Sequence, residues 1–138
     1  MGVVLRRFIQ VAIGDLYEVI KKIEEIANVI RNKFLDDIEM FFREGYSNHD
    51  CYEINSEIAK KIKSRLGLYA RVVRVSFLEN YGVKHYVVEV DIGSDIIVVD
   101  AVPELTGLIP SWYEVGSPFI GTYKEYEKFF SKVLSLQY

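Results

Sequence analysis

Apolar positions along this chain change period several times, and each change marks an element. Residues 3–13 are rich in β-branched side chains and read as a strand; Gly14 and Asp15 interrupt it, with Asp15 placed as an N-cap. From there Leu16, Val19, Ile20, Ile23, Ile26, Ile30, Phe34, Ile38 and Phe41 recur at helical spacing. This stripe predicts one long helix to about Arg43, or two helices meeting near residues 28–32, with the apolar face in the core and Gly45 as the stop. Residues 46–50 form a polar loop in which Asn48 and Asp50 are both capable N-caps. Ile54, Ile58, Ile62 and Leu66 then repeat at steps of four, with Lys60, Lys61, Lys63 and Arg65 on other faces. That is an amphipathic helix of about four turns, closed by Gly67. Three strand-like runs follow, 69–78, 84–90 and 96–102, separated by Asn80 to Gly82 and by Gly93-Ser94. Such short connections imply antiparallel neighbours, and Pro103 stops the last run. Residues 105–121 contain Pro110, Pro118 and three glycines and read as an ordered loop in which Trp112 and Tyr113 pack against the body of the protein. Residues 123–136 predict a final helix.

With 138 residues, half of them hydrophobic, the chain is expected to be one domain over 1–138 with a continuous core. Its 27% charged content is not that of a disordered segment. A net charge of −3 gives no electrostatic reason to expect nucleic acid as a partner. No apolar run approaches the ~18 residues of a membrane span, so no membrane partner is expected. Arg6 and Arg7 lie inside the first apolar stretch, the reverse of a signal peptide, and the expected location is the cytoplasm. The one cysteine excludes an internal disulfide and fits a reducing compartment.

That cysteine is also the centre of the candidate chemistry. Cys51 falls in the first turn of the second amphipathic helix, where free N–H groups and the helix dipole favour a thiolate and could bind an oxyanion. His85 and Asp100 lie on the two arms of one predicted hairpin. A turn at Ile92-Gly93 sets them directly opposite one another; a turn at Gly93-Ser94 sets His85 opposite Val102, with Asp100 as its diagonal neighbour. Both turns put the two side chains on one sheet face, with Cβ atoms ~5 Å or somewhat over ~7 Å apart. A three-residue loop would separate them onto opposite faces. The expected roles are Cys51 as nucleophile, His85 as general base and then acid, and Asp100 as the group that fixes the imidazole tautomer. Val87 and Val98 share that face and are expected to pack under the helix of Cys51. Tyr46, Asn48, His49 and Trp112 are candidates for a second oxyanion donor or a pocket wall. Zinc at His49 and Cys51 would need further ligands such as His85 or Asp100, and no metal is assigned.

The stretch from Cys51 to Pro103 resembles the core of the transglutaminase-like families of the papain-like cysteine protease superfamily. The likeness is carried by four pieces: Cys51 opening a helix, Leu66-Gly-Leu-Tyr-Ala-Arg-Val-Val73, His85-Tyr-Val-Val-Glu-Val90, and Ile96-Ile-Val-Val-Asp100 followed by Pro103. It departs from the family where His49 replaces a glycine, Val87 a tryptophan, and Asp100-Ala-Val-Pro103 a direct Asp-Pro step. The resemblance implies an α+β, papain-like fold, with a catalytic helix on an antiparallel sheet and an extra N-terminal strand and long helix, the core lying within 46–103. It also implies thiol acyl transfer on an amide or ester of a protein, peptide or small molecule, by hydrolysis, deamidation or cross-linking, without a cofactor. The departures leave open an alternative, an inactive relative that serves as a protein-interaction module.

Overall fold

The computed structural model of the chain describes residues 13–137. The strand expected over 3–13 therefore lies outside the described residues, save for Ile13, which opens a helix. Among the described residues the protein is α+β, with four α-helices and a four-stranded antiparallel sheet.

Helix α1 spans Ile13–Lys33 and α2 spans Leu35–Glu44. Asp15 lies within the first turn of α1 rather than capping it from outside, a position where its charge still complements the helix dipole. The stripe read from the sequence is the buried one: Val19, Ile23, Ile26, Ile30, Phe34 and Ile38 are all in the core. The break falls at Phe34, later than the asparagines suggested. Phe34 leaves the helical region (φ −111°, ψ 20°), its N–H bonds to the Arg31 carbonyl at 3.0 Å, and its ring turns into the core. Gly45 closes α2 in the left-handed conformation.

Helix α3 spans Cys51–Leu66. Asp50 is its N-cap in a complete capping box with Glu53, and Gly67 ends it at φ 66°. Strands β1 (Tyr69–Arg74), β2 (Tyr86–Asp91), β3 (Ile96–Asp100) and β4 (Phe119–Gly121) pair in that order. The first strand-like run is shorter than expected, because Phe77–Tyr81 form a 3₁₀ turn. Pro103 ends the third run by opening a second 3₁₀ turn, Pro103–Thr106. β4 lies in the segment read as loop, too short and too close to Pro118 and Gly121 to carry a strand period. Helix α4 spans Tyr123–Ser135, capped by Thr122 and Glu125.

Both faces of the sheet are covered. On one, α3 packs on β1 and β2 with α1 behind it, burying Ile54, Ile58 and Ile62 against Ala70, Val88, Val90 and Val99. On the other, α4 buries Tyr126, Phe130 and Val133 against Val75, Val87 and Val98. This corrects the expectation that Val87 and Val98 lie under the helix of Cys51: they lie under α4. Alternation along β2 and β3 sends odd and even neighbours to opposite faces, and a sequence read without α4 in place does not say which helix takes which face. No helix among the described residues is long and apolar enough to cross a membrane.

Candidate active site

Three elements converge on the end of the β2–β3 hairpin. The pairing Val88↔Val99 and Asp91↔Ile96 fixes the register, and the Ile92 N–H bonds to the Asp95 carbonyl at 3.1 Å around a Gly93-Ser94 turn. Gly93 supplies the positive φ (94°) that a two-residue hairpin loop with glycine first requires. Of the two turns the sequence allowed, this is the second. It sets Asp100 opposite Val87 and diagonal to His85, and the longer diagonal is spanned by the two side chains. His85 Nε2 lies 2.7 Å from Asp100 Oδ2, with both residues fully buried.

Asp100 is held by more than His85. Its Oδ1 accepts from the Val102 N–H at 3.0 Å, so it also caps the turn that leaves β3, and from Asn55 Nδ2 at 3.1 Å. Its Oδ2 accepts, besides His85, the Tyr126 hydroxyl at 2.6 Å. Asn55, one turn after Cys51 on α3, gives Nδ2–H to the Tyr86 carbonyl at 2.8 Å and takes the Ala101 N–H on Oδ1 at 3.0 Å. One side chain thus ties α3 to both hairpin arms. The segment after Asp100 is anchored from α1: buried Arg31 forks onto Glu104 at 2.9 and 2.5 Å and also donates to the Ala101 carbonyl at 2.8 Å.

Cys51 is the first residue of α3 and 9% exposed. Its sulfur accepts the Tyr86 N–H at 3.5 Å, the amide next to His85. His85 Nδ1, the ring nitrogen turned away from Asp100, is buried without a formed hydrogen bond. Burial works against the imidazolium, but the charge and hydrogen bond of Asp100 outweigh it, and Cys51 adds to them; the His85 pKa is pushed up to about 10. Burial likewise opposes ionisation of Asp100, yet His85, Tyr126 and Asn55 together hold its carboxyl below the usual range. The Tyr126 hydroxyl is driven well above its ordinary value, first by burial and then by the Asp100 charge. At the start of α3 the capping box takes the Glu53 N–H, and the Ile54 N–H returns to the Asp50 carbonyl. The N–H groups of Cys51 and Tyr52 have no intrahelical acceptor, as at any helix start.

None of the other candidates is hydrogen-bonded to Cys51, His85 or Asp100. Tyr46 is 61% exposed, and Asn48 is exposed as well. His49 gives its N–H to Asp37 Oδ1 at 2.9 Å, sets Nδ1 3.2 Å from Oδ2, and meets the Phe34 ring edge-on, which anchors the loop before Cys51 to α2. Asn48, His49 and Tyr52 line an open cleft of about 750 Å³ with Phe34, Asp37 and Ser56; Cys51 is not in its wall. Trp112 does not pack into the body: it is 64% exposed, and its aromatic contact is the edge of Tyr113, which in turn meets Phe129. No group of three or more His, Cys, Asp or Glu side chains placed to hold a metal occurs among the described residues.

Asn55, Tyr126, Arg31 and Glu104 were missed in the sequence. Asn55 left a signal, a polar residue inside the buried stripe of its helix and four residues after Cys51. Tyr126 left none, because a tyrosine on an apolar helical face reads as packing. No family model matches this chain, and no curated protein and no solved structure matches it either.

Proposed function

We propose that this chain is a thiol-dependent acyl-transfer enzyme of the transglutaminase-like type, with Cys51, His85 and Asp100 as its reacting and orienting groups. The observation that carries the reading is a fully buried histidine with one ring nitrogen fixed on a carboxylate and the other unpaired, beside the chain's one thiol at a helix start. A structural histidine buried on a carboxylate has no need of a thiol neighbour, and a buried nitrogen without a partner is uncommon in a finished core.

In the proposed reaction His85 already holds on Nδ1 the proton taken from Cys51, as its raised proton affinity requires at neutral pH, while Asp100 keeps the Nε2–H; Sγ attacks the carbonyl carbon as the thiolate of this pair. The resulting oxyanion faces the free N–H groups of Cys51 and Tyr52. Collapse breaks the bond to the amine or alcohol, which leaves with the proton returned by His85. Water, or a second amine, then attacks the thioester by the same route and regenerates the thiol. Catalytic hydrogen bonds often form only when substrate binds, which accommodates a His85 Nδ1 that makes none in the free protein.

A second reading, a non-enzymatic interaction module, is favoured by one observation: the thiol is nearly covered and the large cleft does not open onto it. Incubation with a p-nitrophenyl ester, followed by intact mass and peptide mapping, separates the two. Acylation at Cys51 that is lost in His85→Gln supports the enzyme. An unmodified Cys51 under conditions where a small free thiol is acylated supports the module.

A further inference from the structure

The proton affinity of His85 depends on how much of the Asp100 charge it feels, and that charge is shared. Four groups from four places hold the carboxylate: His85 beside β2, Asn55 on α3, the Val102 amide after β3 and Tyr126 on α4. Two of them meet on one oxygen. Tyr126 donates to Oδ2 at 2.6 Å and His85 Nε2 lies 2.7 Å from the same atom. The tyrosine is fully buried, and its ring is gripped by Phe77, Phe119 and Phe130, so the hydroxyl has no alternative partner in water.

We infer that Tyr126 is a positioning residue that, from the last helix, aims Asp100 at His85 and withdraws part of the carboxylate's charge from the imidazole. The inference rests on the reading of His85 as the base, but its readout does not require an active thiol. The titratable groups that face His85 are Asp100 from β3 and Cys51 from α3; Tyr126 acts on it through Asp100. Among the polar side chains on Asp100, Tyr126 is the one whose hydroxyl can be removed while its ring stays in place. Without that hydroxyl the buried carboxylate loses a charge-assisted hydrogen bond, and loss of the imidazolium proton then leaves a less stabilised anion. His85 therefore binds its proton more tightly when Tyr126 is silenced, and returns it less readily to a leaving group.

The chain has two histidines, one buried and one half in solvent, so their imidazole resonances are easily distinguished. Titration of the His85 ring by heteronuclear magnetic resonance in Tyr126→Phe is expected to show a midpoint raised by about one pH unit. Replacing Tyr126 with a ring-fluorinated tyrosine, a stronger donor, is expected to lower the midpoint while keeping every atom of the contact, and it serves where the phenylalanine variant does not fold. The same pair of shifts is expected in a Cys51→Ser background. Loss of stability with an unmoved or opposite His85 midpoint would overturn the inference. Shifts in the expected directions in a protein whose Cys51 is never acylated would leave it standing and remove the enzymatic reading.

Discussion

Replacing Asn55 with leucine removes the side chain that joins the helix of the thiol to both arms of the hairpin, while keeping the number and branching of its heavy atoms. Three hydrogen bonds disappear, to the Tyr86 carbonyl at 2.8 Å, to Asp100 Oδ1 at 3.1 Å, and from the Ala101 N–H at 3.0 Å. Asp100 keeps three donors, so its charge is weakened in support rather than abandoned. The Ala101 N–H is left buried without its partner, which costs about 1–3 kcal/mol, and the lost bond to a charged group is worth about 1.5–3 kcal/mol. The apolar gain of leucine returns about 1–2 kcal/mol. A net loss of about 2–4 kcal/mol is expected, a large part of the ~5–15 kcal/mol that a domain commonly has. Urea unfolding at pH 7 measures it, with Ser56→Ala, on the neighbouring rim, as the control near zero. A change under about 0.5 kcal/mol for Asn55→Leu with a normal control would refute the view that Asn55 is the structural hub of the site.

The Arg31–Glu104 fork is buried on both sides. Arg31→Met alone is expected to destabilise by about 3–5 kcal/mol because it strands the Glu104 carboxylate, whereas Arg31→Met with Glu104→Leu recovers much of the loss, as a double-mutant cycle in urea would show. The His85–Asp100 pair sets a pH dependence whose sign follows from its two shifts. The folded His85 value is raised from 6.5 to about 10, so its contribution to stability is full below about pH 6.5 and is lost as pH rises through 10. The folded Asp100 value is lowered, so its contribution is present above the ordinary carboxylate value of 3.8 and is lost as pH falls through the folded value. Urea midpoints measured across pH are therefore expected to fall on both sides, with the alkaline fall reduced in His85→Gln.

Much of this arrangement was legible before any coordinates. The four-residue step of Ile54, Ile58 and Ile62, the stripe of the N-terminal helices and the glycine stops are local signals, and local physics decides them. The hairpin parity of His85 and Asp100 was legible for the same reason, because a two-residue turn leaves few registers. What escaped was decided by tertiary contact. The break at Phe34 follows from the pull of one ring into the core, not from the asparagines nearby. β4 forms because β3 offers it an edge, with only Phe119–Gly121 taking part. The assignment of Val87 and Val98 to α4 depends on where a distant helix docks. Tyr126 could not be found without that docking, since its partner is 26 residues away in sequence.

The central claim is that His85 and Cys51 act as a base and a nucleophile. The most direct measurement is the second-order rate of iodoacetamide alkylation at Cys51 from pH 5 to 10 in the native protein and in His85→Gln. The account predicts a rate that persists well below pH 8 and falls by an order of magnitude or more in the variant. A thiol that is unreactive below pH 8, with a profile unchanged by His85→Gln in a folded protein, would contradict it.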